Sequence, residues 1–470
     1  MEIIKALNSI FWGWLVAGIL LSCGIFFTFK YKFPQIRYFT KLLSNLKASN
    51  SGEGGVTGFG ALCAAVGSEV GTGSLVGVAT ALASGGPGAI FWMWITAVFG
   101  MPIMFSEAVL GQVFRVKNAD GTYRGGPAYY MEKGMHAKVL PALFSISIIV
   151  GIGCIYAMIQ SNSIAMSITG IVPISPIVAG AVLVVMVGGV IFGGIKRLSE
   201  VASYIVPFMA AAYIILAIFV VITHIDLLGS TLSLIFSSAF GASQVGGGVA
   251  GGTVTYGIQQ AFRYGVARGL FSNDAGNGTT PAMHASANVK HPVNQGLSGM
   301  LGVFTTTIVV CSCTAFCILL SGEFGKGATG IQLTQAAFAS TFGEFGRWIV
   351  FLAMFLFGYT TLLADIYYGE VNMLWLFPNG GNIMIKGYRL LSCALVLLGS
   401  VMDVASLWEL ADFCGAFLVF INVIALLCLS KYVLFVLKDY QKKRETEDHP
   451  VWNYDVDILE QYKQAEKQEA

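Results

Sequence analysis

The sequence predicts an all-α polytopic membrane protein of about eleven spanning helices: one extra helix, then two five-helix halves of opposite topology. Three observations carry this. Of 470 residues, 56% are hydrophobic and 11% charged, with a mean hydropathy of +0.73; soluble domains carry about 25% charged residues. Apolar runs near the length that crosses a bilayer, roughly 20 residues, recur along the chain. Two of these runs are interrupted by glycine clusters at corresponding places.

In order, the apolar segments are 10–29, 56–84, 87–114, 139–166, 176–195, 201–223, 240–267, 293–321, 347–377, 387–401 and 407–437. Residues 11–27 lack a small-residue cleavage site and further spans follow, so they read as a span and not as a leader. The seventh segment is the most dilute, because Gly241, Gly246, Gly247, Gly248, Gly251 and Gly252 lower its hydropathy. Interfacial pieces are expected at 231–238 and 331–342. The organisation is then an extra span with a basic connector (1–55), a first repeat (56–223), a second repeat (224–437) and a charged tail (438–470), expected to be partly disordered. With the N-terminus outside and the C-terminus inside, all but Lys5, Lys326 and Arg347 of the 27 Lys and Arg residues fall on the inner side, and one span more or fewer would scramble that bias. The nine cysteines show no zinc spacing and no disulfide framework, and no organic cofactor is implied.

The second segment is the least ordinary. Its centre, 67–74, reads Gly-Ser-Glu-Val-Gly-Thr-Gly-Ser. Glycine frees the backbone from helical dihedrals. An unwound span leaves N–H and C=O groups bare, which is tolerated only where they line a cavity or are buried in protein. A charge near the membrane centre costs at least about 2.5 kcal/mol, so Glu69 must face water, a cation or a partner. The seventh segment, first of the second half, carries a matching defect at 241–252. Glycines also serve helix packing. Two interruptions at corresponding positions of inverted halves instead point to the substrate site of a secondary transporter.

Longer stretches carry a family resemblance. Residues 70–101, VGTGSLVGVATALASGGPGAIFWMWITAVFGM, are similar to the alanine or glycine:cation symporter family, also called sodium:alanine symporters. So are Tyr123-Arg124-Gly125-Gly126-Pro127-Ala128-Tyr129-Tyr130, Gln160-Ser161-Asn162, Arg268-Gly269-Leu270-Phe271-Ser272-Asn273, Lys290-His291-Pro292 and Tyr368-Gly369-Glu370. The resemblance runs from about 58 to 429. It implies a leucine-transporter-type 5+5 inverted repeat that couples sodium entry to uptake of small neutral amino acids such as alanine or glycine. The expected location is a cell membrane, the inner membrane of a bacterium. The expected partners are a small amino acid and the lipid bilayer, with no nucleic acid and no obligate protein partner.

Such a site must satisfy both charged ends of a zwitterion that has lost its hydration. The carboxylate suits N–H groups at the positive end of a half-helix, a role the resemblance gives to Thr72 and Gly73 with Ser74 beside them. The ammonium suits bare carbonyls, expected around Gly246 to Gly252, or the Asp365 side chain. The coupling ion, sodium, prefers oxygens; the resemblance assigns it the Thr360 and Thr361 hydroxyls and the carbonyls of Gly67 and Val70. A threonine pair can also simply bond back to its own helix. Thr361 is expected to border the substrate as well. Gln160 is expected to face the substrate, with Met166 and Gly170 shaping the wall. Glu69 and Asp274 are gate candidates, Asp274 within a turn-rich loop, 271–280, expected on the inner side.

Four positions depart from the family pattern: Glu69 stands where arginine is usual, Ser74 for asparagine, Asp274 for glutamate, and Asp365 for tryptophan or a small amide. The alternative is therefore the same fold carrying glutamine or another larger or cationic amino acid, with protons in place of sodium. A channel, one rival, would need a ring of repeated pore residues, which the sequence does not offer. An amino acid sensor would need a sizeable soluble module. An enzyme would need a nucleophile or metal set, and the five histidines include no i, i+4 pair.

Overall fold

The structure, a computed structural model, describes residues 2–42, 56–241 and 251–469. It is all-helical apart from one two-stranded hairpin, Val116–Lys117 with Tyr123–Arg124. An N-terminal helix, Glu2–Ile10, runs through a widened π-turn into α1 (Val16–Lys30). The first interrupted helix follows. Its leading half, α2 (Gly58–Glu69), is capped by Thr57, whose hydroxyl accepts the Gly60 N–H at 3.0 Å. Helical geometry stops at Val70 (φ −81°, ψ 74°). The chain resumes at a π-turn, Gly73–Gly77, leading into α3 (Val78–Gly85), with the halves bent by 43°.

The rest of the bundle is α4 (Gly88–Val113), α5 (Pro127–Met135), α6 (Val139–Thr169), α7 (Pro176–Ile191), α8 (Gly194–Thr223), α9 (Ile225–Ala239), α10 (Gly251–Asn273), α11 (Pro281–Ser286), α12 (Pro292–Leu320), α13 (Gly330–Phe342), α14 (Glu344–Leu376), α15 (Gly381–Gly399), α16 (Val404–Lys443) and α17 (Ile458–Glu469). Among the described residues, seven helices are long and apolar enough to cross a membrane, eight if α2 and α3 count as one span. The spine is α14, buried continuously from Phe357 to Gly369.

Three expectations meet the structure. First, the interruption expected at 241–252 falls almost wholly on 242–250, Gly246 among them, outside the described residues, and α10 is continuous from 251. A break is described at 274–280, between α10 and α11, and this stretch is buried in the bundle. Asp274 (φ 54°), Gly276 (φ 96°) and Gly278 (φ 81°) adopt left-handed conformations that a helix cannot hold. Second, the piece expected at the interface near 331–342 is α13, which packs inward: the Thr334 hydroxyl donates to the Leu75 carbonyl at 3.1 Å and the Gln335 amide to that of Ser167 at 2.9 Å. Third, the tail is ordered from 438 to 469, because Trp452 and Ile458 bury against the bundle and outweigh their polar neighbours.

Candidate functional site

The two interruptions face each other. A Cβ built on Gly73 would stand 2.9 Å from the Phe271 carbonyl oxygen and 3.0 Å from Ser272 Cα. The starting end of one half-helix thus abuts the finishing end of another. The leading halves α2 and the trailing half α11 also meet at their far ends, where Val56 bridges Ala287 and the Asn288 N–H donates to the Val56 carbonyl at 2.9 Å.

On the α14 side, Thr360 and Thr361 both donate to the Gly67 carbonyl at 2.9 Å. Each also reaches the Phe357 carbonyl of its own helix at 3.0 Å, so the back-bonding reading and the cross-span reading hold together. Gly71 makes the approach possible, since a Cβ there would lie 3.0 Å from Thr361 Cβ. Val70 is buried beside them. Hydroxyl and carbonyl oxygens gathered at an unwound turn form a hard-ligand set suited to an alkali cation.

Across the site, Gln160 accepts from Thr72 twice at its Oε1, from the N–H at 3.2 Å and from the hydroxyl at 2.8 Å. It ties α6 to the first interruption. Ser74 is buried, and its carbonyl accepts from the Thr314 hydroxyl at 2.7 Å. Asn162 serves packing, donating to the Gly399 and Met402 carbonyls at 2.9 Å. Gly170 does not join the group: it is exposed at the end of α6, next to Gln335. Asp365 is buried and its Oδ2 has no hydrogen-bond partner among the described residues.

Glu69 is 1% exposed and pressed against Gly302 of α12, with Thr306 of the same helix within its reach. Asp274 sits in the second interruption, within range of the charges of both Glu69 and Asp365. It is buried there.

Sequence reasoning missed several groups. Glu107 of α4 accepts the Gly276 N–H at 3.2 Å; Asn422 of α16 donates to Glu107 and to the Gly276 carbonyl at 3.0 Å, and the Tyr130 hydroxyl donates to Asn422. This network holds the second interruption in shape. A carboxylate inside an apolar span was its sequence signal. Tyr368 shares a 2.7 Å hydrogen bond with Ser68. Beside Gly73, Phe271 meets the Tyr156 and Trp408 rings at tilted angles, 4.8 and 4.7 Å between centroids. Arg268 lies 4.5 Å from the Trp408 ring and forms a two-pronged pair with Asp412 at 3.0 and 2.7 Å. Beyond them opens a cavity of about 420 Å³ lined by Met166, Arg263, Trp408, Glu409 and Asp412. Arg263 and Arg268, counted above with the inner basic residues, therefore belong to the far end of the bundle: Asp412 lies near the start of α16, and the tail leaves from its finish.

Residues 1–454 match the sodium:alanine symporter family. The chain belongs to that family. Its relatives include the "Probable sodium/glutamine symporter GlnT" of Bacillus subtilis, 39% identical over 97% of this chain and 94% of the relative. The "Sodium/alanine symporter AgcS" of Methanococcus maripaludis is 36% identical, over 95% and 98%. The crystal structure of MhsT in complex with L-phenylalanine matches with a TM-score of 0.51 at 15% identity, covering 83% of this chain and 99% of that one. That match is one of fold. As a member of the sodium:alanine symporter family, this chain is a membrane transporter, and sodium is its family's coupling ion.

Proposed function

We propose that this chain imports a small neutral amino acid, alanine or glycine, by sodium symport across the inner membrane of a bacterium, with eleven spans, the N-terminus outside and the C-terminus inside. The observation that carries the site assignment is the meeting of both the Thr360 and Thr361 hydroxyls with the Gly67 carbonyl at 2.9 Å. In this reading sodium binds there, with the Val70 carbonyl completing the set.

The substrate lies at the junction of the two interruptions. The first-turn N–H groups after Thr72 form the positive end of a half-helix and take the carboxylate, with Gly73 and Ser74 beside it. The last carbonyls of α10 form the negative end of another and take the ammonium, a role expected above of Gly246 to Gly252 or of Asp365. The approach of Gly73 to the Phe271 carbonyl supports this pairing. Gln160 fixes the carboxylate side, and Thr361 and Asp365 border the side chain. The 420 Å³ cavity is the outer approach, and the Arg268–Asp412 pair with the aromatic layer closes it.

The similarity to GlnT, together with the unpartnered Asp365 oxygen, favours glutamine as a second reading. Uptake of labelled alanine into proteoliposomes, with sodium or potassium outside and all common amino acids as competitors, tests both. Uptake that ignores sodium would refute the symport reading, and glutamine outcompeting alanine would replace the substrate.

A further inference from the structure

The C-terminal segment is joined to the parts of the site that must move. The Trp452 N–H donates to the Lys290 carbonyl at 2.9 Å, and its indole meets His291 and Phe435 at 5.5 and 5.9 Å between ring centroids. Tyr454 closes over Arg115, whose guanidinium lies 4.3 Å from that ring and 3.9 Å from Tyr123 on its other side. The Tyr454 hydroxyl donates to Gln112 Oε1 at 3.1 Å. Past Tyr454, α17 packs Tyr462 on Tyr432 and Phe435 at 5.1 and 5.6 Å.

The residues under this segment hold the inner half-helices. Arg115 donates to the Ala287 carbonyl, and Gln112 donates to the carbonyls of His284 and Ala287. Ala287 follows α11 and bridges Val56 at the root of α2. An unbroken series of contacts therefore runs from Tyr454, through Arg115 and Gln112, to the roots of both interrupted helices. The contacts are aromatic and polar, of the kind that can be broken and remade without opening an apolar core. Among the described residues, no spanning helix includes a residue after 447 in its backbone hydrogen-bond ladder.

We propose that residues 448–462 form a strap that holds α2 and α11 together at the end of the bundle carrying the C-terminus, and that the strap must lift from Arg115 before that end of the route opens. The inference rests on the transport reading for its meaning, but its test needs no transport.

The test is thiol labelling of Ala287→Cys by a membrane-impermeant maleimide, in full-length protein in lipid nanodiscs, against the background of the native cysteines. Ending the chain after Glu447 should raise the labelling rate at position 287 by at least about tenfold, the shift expected when one closing interaction is removed from a two-state equilibrium. A synthetic peptide of residues 448–470, added back, should restore protection. Should the truncated chain fail to accumulate, Tyr454→Ala takes its place. An unchanged labelling rate in a folded variant overturns the strap. So does a raised rate that tracks a lowered melting temperature and that the peptide does not reverse, because that outcome assigns the tail to folding. Failure of sodium-driven uptake by the parent would refute the transport reading and leave these rates as measured.

Discussion

Gly71→Ala probes the sodium assignment through a single methyl group. An ideal Cβ at Gly71 stands 3.0 Å from both Cβ and Cγ2 of Thr361, and closer still to its hydroxyl. Comfortable carbon contacts begin at about 3.5 Å, so the Thr361 side chain must retreat by roughly half an ångström or more. Its hydroxyl now lies 2.9 Å from the Gly67 carbonyl. The retreat would carry it to about 3.5 Å, beyond useful coordination or hydrogen bonding. Overpacking of this kind costs about 1–3 kcal/mol. On the proposed assignment the sodium-bound state needs that oxygen in place, so most of the cost falls on ion binding. At 1.4 kcal/mol per factor of ten, sodium affinity should drop by roughly 5- to 150-fold. The assay is the sodium concentration giving half-maximal uptake in proteoliposomes, beside a thermal melt of the same preparation. A folded Gly71→Ala protein with an unshifted sodium curve would refute the assignment.

Replacing both Thr360 and Thr361 with valine keeps shape and removes the hydroxyls, so sodium dependence should vanish while the protein still purifies as a folded species; retained sodium-dependent uptake would remove the ion from that place. Gly73→Val should abolish amino acid binding, because even its Cβ would meet the Phe271 carbonyl at 2.9 Å, and near-normal affinity by scintillation proximity would exclude the junction as the site. Asp365→Asn keeps size and removes charge, and it should alter the amino acid competition profile; a profile identical to the parent's would take Asp365 out of selectivity. Glu107→Gln leaves one acceptor where the Gly276 N–H and the Asn422 amide need two, so the concentration for half-maximal amino acid uptake should rise, and adding Asn422→Asp should restore part of it. No rescue by the double variant would argue against the Glu107–Asn422 bond as the support of the second interruption.

The first interruption was legible because its signal is local. Glycines alternate with hydroxyls and an acid inside an apolar run, and no packing argument requires that mixture. The break at 274–280 was not legible as an interruption for a physical reason. Its Asp-Ala-Gly-Asn-Gly run ends the helix through residues that adopt positive φ, Asp274, Gly276 and Gly278, and not through the glycine density seen over 241–252. Read as a surface turn, that run looked like a loop; its burial depends on Glu107 and Asn422, which lie 169 and 146 residues away from Gly276. Distance in sequence also hid the Arg268–Asp412 pair, because a charge count assigns each arginine to the nearest loop and ignores its partner. The tail shows the same effect, since average composition does not register one tryptophan and one tyrosine that find His291 and Arg115.

The opposed topology proposed for the two halves has a chemical consequence at their junction. A half-helix that begins at the midplane offers donors and a positive end there, and one that finishes at the midplane offers acceptors and a negative end. Two halves of the same topology would present like ends to each other. Inverted halves present unlike ends, and here the start of the Gly73–Gly77 turn meets the finish of α10 at Phe271 and Ser272. A zwitterion has the same pair of unlike charges, set two bonds apart on one carbon. The backbone alone can therefore recognise the part common to all amino acids, without placing a charged side chain at either end. On the proposed site assignment, side chains such as Asp365, Gln160 and Thr361 are then left to tune the substrate's side chain and the ion. On this argument, exchange of residues around the junction should change which amino acid is carried more readily than whether one is carried. Two of the relatives, one named for glutamine and one for alanine, fit that division.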